Sequence, residues 1–95
     1  MALSFEWDRA KDAANRRKHR VSFDEACTVF GDPLGWFQPD PAHSDREVRF
    51  LLLGRSSADR LLAVLFTERG PDVVRIISAR PATARERTKY AEDLR

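Results

Sequence analysis

Ninety-five residues with a net charge of +2 allow one small core and no second domain, so the chain is read as a single domain over 1–95. No apolar run approaches the ~18–20 residues that a membrane span needs, and the N-terminus lacks a signal-peptide core. The one cysteine, Cys27, excludes an internal disulfide and fits a reducing cytoplasm, where the chain is expected to act without a membrane. It sits in an apolar helical stretch and reads as a small core residue rather than a nucleophile.

The charge is uneven. Residues 1–20 carry six Lys/Arg against three acids, residues 21–48 one against six, and residues 49–95 ten against six. Fourteen of the basic residues are Arg and three are Lys; the planar guanidinium fork suits bidentate phosphate contacts, although a GC-rich genome would produce the same bias. Basic ends around an acidic middle suit a nucleic acid on one surface and a basic partner on another.

In chain order, Phe5-Glu6-Trp7 reads as a short strand. Asp8 is an N-cap for a helix through about Lys18, with Ala10, Ala13 and Ala14 as a small packing face. That helix ends in the basic cluster Arg16-Arg17-Lys18-His19-Arg20. Ser22-Phe23-Asp24-Glu25 is a capping box, the serine oxygen taking an orphan N–H and Glu25 reaching back. It opens a second helix in which Phe23, Ala26, Cys27 and Phe30 form one apolar stripe, stopped by Gly31-Asp32-Pro33. Residues 33–47 read as irregular, with an edge strand over 34–37. Three stronger strands follow at 48–55, 61–67 and 73–79, joined by short turns at 56–59 and 68–72, which predicts an antiparallel meander. Thr83-Ala84-Arg85-Glu86 is a second capping box and starts a polar helix through about Asp93. The expected architecture is α+β, a small antiparallel meander sheet packed by helices in the order β-α-α-β-β-β-β-α.

Strand parity places Arg49, Leu51, Leu53 and Arg55 on one face. It places Val74, Ile76, Ser78 and Arg80 on one face of the last strand, with Arg75 on the opposite one. Arg55 and Arg80 each end a strand. If the strand between is antiparallel to both, they share one end of the sheet and form a phosphate clamp; the competing reading is ordinary solvated strand-end residues, or ion pairs with Glu68 or the C-terminal helix. His19 unites a proton-transfer group with the surrounding positive charge of Arg16, Arg17 and Lys18, the two things that a metal-independent nuclease needs to hold a polyphosphate and cleave it. The helix dipole alone would also favour an imidazolium there. Lys11, two helical turns earlier, can lie on the same side. His43, Ser44 and Asp45 are adjacent in a loop, which does not make a triad. No Cys/His cluster has metal-ligand spacing, and neither a P-loop nor a dinucleotide fingerprint is present, so no metal or cofactor is expected.

Several motifs together carry a resemblance. Phe5-Glu6-Trp7-Asp8 with Lys11, Lys18-His19-x-Val21-Ser22-Phe23-Asp24-Glu25-Ala26, Phe30-x-Asp32-Pro33, Asp40-Pro41-x-His43-Ser44, Arg49-Phe50, Leu53-Gly54-Arg55-Ser56, Thr67-Glu68-Arg69 and Arg75-Ile76-Ile77-Ser78-Ala79-Arg80 resemble the BrnT toxin family over about residues 5–90. The resemblance implies a RelE-like fold and a ribonuclease toxin of a type II toxin–antitoxin pair. It also implies a BrnA-like antitoxin that neutralises the toxin by direct binding, with DNA reached only through that antitoxin. Carried onto this sequence, it singles out Lys11, His19, Arg55, Glu68, Arg75 and Arg80. These suit attack of a ribose 2′-hydroxyl on the adjacent phosphate. His19 or Glu68 would take the proton, Lys11 or His19 would assist the leaving oxygen, and Arg55 with Arg80 would stabilise the transition state. Arg20 departs from the family, which usually has a glycine there as a left-handed helix cap. A second class of reading is a non-catalytic toxin-like module that acts with its antitoxin in transcriptional autoregulation. Trp36 and Phe37, in the acidic segment 32–47, offer either an anchor for the antitoxin or two further core residues.

Overall fold

The computed structural model describes residues 3–40 and 47–92. His43, Ser44 and Asp45 lie outside the described residues. The elements are β1 (Ser4–Glu6), α1 (Arg9–His19), α2 (Phe23–Thr28), a 3₁₀ turn (Val29–Gly31), β2 (Trp36–Pro39), β3 (Arg49–Arg55), β4 (Leu61–Gly70), β5 (Val73–Pro81) and α3 (Ala84–Glu92). The strands form one five-stranded sheet in the order β1-β5-β4-β3-β2. Strands β2 to β5 are the expected antiparallel meander, and β1 joins the far edge parallel to β5, which makes the sheet mixed.

The register divides the sheet into two faces. Leu52, Leu62, Val64, Phe66, Val74, Ile76 and Ala79 are buried on one face against Val21, Phe23, Ala26 and Val29 from α2 and its flanks. Gly54 lies on this face where the 3₁₀ turn crosses β3; a Cβ there would come within 2.8 Å of Val29 Cγ1. The other face carries Leu53, Ala63, Arg55 and Arg80, and α3 covers part of it, burying Tyr90.

The parity expected for β5 is corrected by a bulge. Leu65 pairs with Ser78 and Phe66 with Ile76, which leaves Ile77 as an extra residue. Val74, Ile76 and Ala79 therefore share the core face, while Arg75 and Arg80, five residues apart, share the other. Strand β4 also runs past the predicted end at Thr67, pairing Glu68 with Val74 before a second irregularity. The edge strand forms two residues later than expected and ends on Pro39, where a missing N–H costs no ladder bond.

The helices show what local signals settle. Asp8 caps α1, its carboxylate accepting from Lys11 N at 3.0 Å. The packing face of α1 is not the alanine set, since Ala10 and Ala14 are exposed. Its buried residue is Asn15, whose Nδ2 donates to the carbonyls of Val21 (2.9 Å) and Ala79 (2.8 Å) and whose Oδ1 accepts from Ala79 N (3.2 Å). The second helix stops at Thr28 and tightens into the 3₁₀ turn rather than continuing through Phe30. Its capping box is half formed. Ser22 Oγ accepts from Glu25 N at 3.0 Å, but the Glu25 carboxylate turns to Arg60 (Nε, 2.9 Å) and Ser56 (Oγ, 2.7 Å). The box at α3 is reciprocal, with Thr83 N donating to Glu86 Oε1 and Glu86 N to Thr83 Oγ1.

Arg20 supplies the left-handed cap itself, with φ 60° and ψ 32° and its N–H bonded to Arg16 O at 3.0 Å. The turn is kept, at the steric cost of a Cβ in that region. Arg20→Gly is expected to stabilise the fold by about 0.5–1 kcal/mol, after the added freedom of glycine in the unfolded chain is subtracted. Thermal melting at neutral pH checks this: a rise of a few degrees is expected, and a fall would show that the arginine side chain contributes more than the strain.

Candidate nucleic-acid interface

Strands β3 and β5 run in the same direction on either side of β4, so Arg55 (opposite Leu61) and Arg80 (opposite Ala63) come to one end of the sheet and to one face. Helix α1 runs up the other face, and the Asn15 bonds to Ala79 bring its last turn to that same end. There Arg60 Nη2, from the β3–β4 turn, donates to Arg20 O at 2.9 Å. Arg16, Arg17, Lys18, His19 and Arg20 thus flank one side of this rim and Arg55 and Arg80 the other. Arg16 lies 4.0 Å from Asp12, while Arg17 and Lys18 are exposed. The concentration of positive charge at a helix C-terminus is favoured by the dipole.

The two strand-end arginines are held differently. Arg80 makes a bidentate pair with Glu86 at 2.7 and 3.0 Å, so the C-terminal helix, not Glu68, is its partner. This pairing raises the Arg80 pKa and holds the Glu86 carboxyl below its usual range. Arg55 is exposed. Its backbone N–H donates to Asp32 Oδ2 at 2.8 Å, its Nη1 reaches Asp59 O at 3.4 Å, and its guanidinium lies 5.9 Å from the Tyr90 ring centroid. Asp32 also accepts from the Tyr90 hydroxyl (2.6 Å) and Leu34 N (2.9 Å). Burial opposes ionisation of Asp32, but these donors outweigh it and lower its pKa. Burial, then the bond to Asp32, pushes the Tyr90 phenol up to about 12. Asp32 and Tyr90 thus set the base from which Arg55 projects. In the sequence Asp32 belongs to the helix stop Gly31-Asp32-Pro33 and to the motif Phe30-x-Asp32-Pro33, neither of which shows its bond to Tyr90; the signal for that bond is a lone tyrosine in an otherwise polar helix.

Other expected site residues lie elsewhere. Glu68 pairs with Val74 and lines an apolar cavity, and Arg75 donates to Glu6 Oε2 at 2.7 Å. Counted along β4 from Ala63, the partner of Arg80, Arg75 stands four residues away and Glu68 five, about 13 and 16 Å at ~3.3 Å each. Arg80 and Arg75 share a face but not an end. Lys11 is exposed in the first turn of α1, about 12 Å below His19 along the helix axis. Burial pushes the Cys27 thiol up to about 11, which keeps it protonated and unreactive. Among the described residues, no three His, Cys, Asp or Glu side chains are grouped as a metal site, and no helix is long and apolar enough to cross a membrane.

The paired carboxylates make the fold sensitive to acid. Glu25 is lowered first by its bond to Arg60, Glu86 by Arg80, and Asp32 by its donors against burial. Each folded pKa lies below its ordinary value of 4.5 or 3.8. The stabilisation is therefore complete above that range and lost as pH falls through the folded values. Melting temperature should stay level from about pH 7 to 5 and drop below about pH 4. Glu25→Gln should lower the plateau and shallow the drop; a melt that rises on acidification would contradict the sign.

Residues 7–86 match the family described as "Ribonuclease toxin, BrnT, of type II toxin-antitoxin system". The fold is similar to the 1.1 Å crystal structure of the Brucella abortus ribonuclease toxin BrnT, with a TM-score of 0.63 and 21% identity over 86% of this chain and 99% of that one. A comparison with curated proteins gives no match. The family match defines a ribonuclease toxin. The chain belongs to the BrnT family of type II toxin–antitoxin systems.

Proposed function

We propose that this toxin cleaves RNA at the basic rim without a metal ion, by attack of a ribose 2′-hydroxyl on the adjacent phosphate. The reading is supported by the shared end of β3 and β5, which brings Arg55 and Arg80 to one face, and by the bond from Arg60 to Arg20 O, which brings the last turn of α1, with His19 and the exposed Arg17 and Lys18, to that end. His19 serves as the proton-transfer group, Arg55 and Arg80 offset charge on the pentavalent phosphate, and Arg16, Arg17 and Lys18 hold the flanking backbone. Lys11 extends the phosphate track down α1. Glu68 and Arg75, at the other end, have no part in the bond-breaking step. A BrnA-like antitoxin neutralises the toxin in the cytoplasm, and DNA is contacted only through that antitoxin.

Expression of the chain alone, followed by analysis of total RNA, tests the reading. Cleavage should persist in EDTA and leave 2′,3′-cyclic phosphate ends. Strict dependence on added Mg²⁺ or Mn²⁺ with 5′-phosphate products would sink the mechanism. Intact RNA in cells whose growth is unaffected would favour the non-catalytic binding module.

A further inference from the structure

The helix-covered face of the sheet is not covered to its end. Beside the 3₁₀ turn it opens into a cavity of about 350 Å³ that extends from Asp32 to Glu68 and whose walls include Leu3, Phe30, Phe37, Phe50, Phe66 and Val74. Four ring contacts run through it in series: Phe5–Phe30 (5.1 Å), Phe30–Phe66 (4.9 Å), Phe66–Phe50 (5.5 Å) and Phe50–Phe37 (6.3 Å). The inner members belong to the core, but Phe37 is 63% exposed and Leu3 43% exposed. The paired residue Trp36 points to the other face, where Lys89 lies 5.1 Å from its ring, so the two aromatics of β2 divide between α3 and this cavity.

The charge of the opening is one-sided. Its described lining contains two carboxylates, Asp32 and Glu68, and no Lys or Arg. Asp32 is already bonded to Tyr90 and to backbone N–H groups, while Glu68 is exposed at the mouth of the cavity. A polyphosphate is repelled by such a surface; an apolar segment flanked by Lys or Arg fits it. Geometry selects the form of that segment. From Val74 on β5 to Phe37 on β2 is three strand spacings, about 14 Å across the pleats. An extended chain laid in that direction would bury backbone groups without partners, whereas a helix satisfies its own. About ten residues of helix span the distance, presenting apolar side chains at i, i+4 and i+7.

We propose that the cavity seats a basic, amphipathic helix of the antitoxin, which continues the helical layer begun by α1 and α2 and is anchored on Phe37. The proposal rests on the toxin–antitoxin reading and adds to it the place and chemistry of the contact, with Phe37, Phe50 and Phe66 on the face of the sheet opposite Arg55 and Arg80. It predicts a toxin that cleaves RNA normally and escapes control. Phe37→Asp, at a largely exposed position outside the proposed catalytic rim, should melt within a degree or two of the parent and cleave RNA at the parent rate. Its affinity for the purified antitoxin encoded beside the toxin gene should fall at least about 30-fold, the loss typical of a central aromatic anchor, and co-expressed antitoxin should no longer restore growth. Phe37→Leu should recover most of the affinity.

Unchanged affinity and unchanged neutralisation of Phe37→Asp would overturn the proposal. So would a parent chain that sediments as a dimer and a Phe37→Asp chain that sediments as a monomer, with equal antitoxin binding, because the groove would then join two copies. Failure of the underlying reading looks different: the unaltered chain would leave RNA intact or form no complex with the antitoxin.

Discussion

Asn15→Leu is expected to cost about 3–5 kcal/mol, enough to remove much of the stability of a domain this small. The amide of Asn15 is 7% exposed and completes three bonds, to Val21 O, Ala79 O and Ala79 N. Leucine has similar bulk but leaves these backbone groups without their partner, and each orphaned buried group costs about 1–3 kcal/mol. Asn15→Asp would not rescue the site. It keeps the acceptor for Ala79 N and directs a carboxylate oxygen at two carbonyls that need a donor. Urea unfolding followed by circular dichroism measures the loss. An unchanged midpoint for Asn15→Leu would mean that water or a backbone shift replaces the amide, and that α1 is held mainly by packing.

His19→Ala is expected to lower the rate of RNA cleavage by about 100-fold or more, the usual contribution of a positioned proton-transfer group. Arg55→Ala should lose a comparable factor with an unchanged melt, because its exposed guanidinium makes one long bond, to Asp59 O. Arg55→Lys should recover only part of the rate, since an ammonium keeps the charge and loses the planar fork. Arg80→Ala differs. It also breaks the pair with Glu86, a partly exposed contact worth about 0.5–1 kcal/mol, so melting and rate should both decline. The comparison that decides is rate against melting temperature across these variants. If Arg55→Ala melts as the parent and cleaves as fast, the rim binds no reacting phosphate.

The parts legible in the sequence are those governed by neighbours along the chain. Asp8, Ser22 and Thr83 each cap the helix expected of them, because a side chain three residues from its backbone partner needs no tertiary knowledge. The meander was visible in three β-rich runs joined by short turns. What was not legible depends on contacts distant in sequence. Glu25 leaves its box because Arg60, thirty-five residues away, offers a charge-assisted bond. The parallel pairing of Ser4–Glu6 with 73–75 crosses most of the chain. Asn15 reads as one polar residue among many on α1, and only the arrival of Ala79 shows why an amide stands there. For the candidate site, the shared end of Arg55 and Arg80 followed from strand direction alone. The separation of Glu68 and Arg75 from it followed equally from strand length, a constraint that a list of resembling residues does not apply.

The extra residue at Ile77 changes how this strand aligns with others. Two arginines five positions apart would face opposite ways in a regular strand; here they face the same way because one position adds length to the chain and none to the ladder. A relative that lacks that position would carry the equivalent arginines four apart. An alignment forced through the strand without a gap would then match this Arg80 to an inward-facing neighbour and score a preserved guanidinium as lost. Deletion of Ile77 is correspondingly a mild change, since every cross-strand partner from Ser78 to Pro81 stays where it is. A one-residue slip that closes the bulge without deletion is the harmful one, for it would set Arg80 opposite Leu62 in the core. The amide of Asn15, clasping both polar groups of Ala79, is what bars that slip.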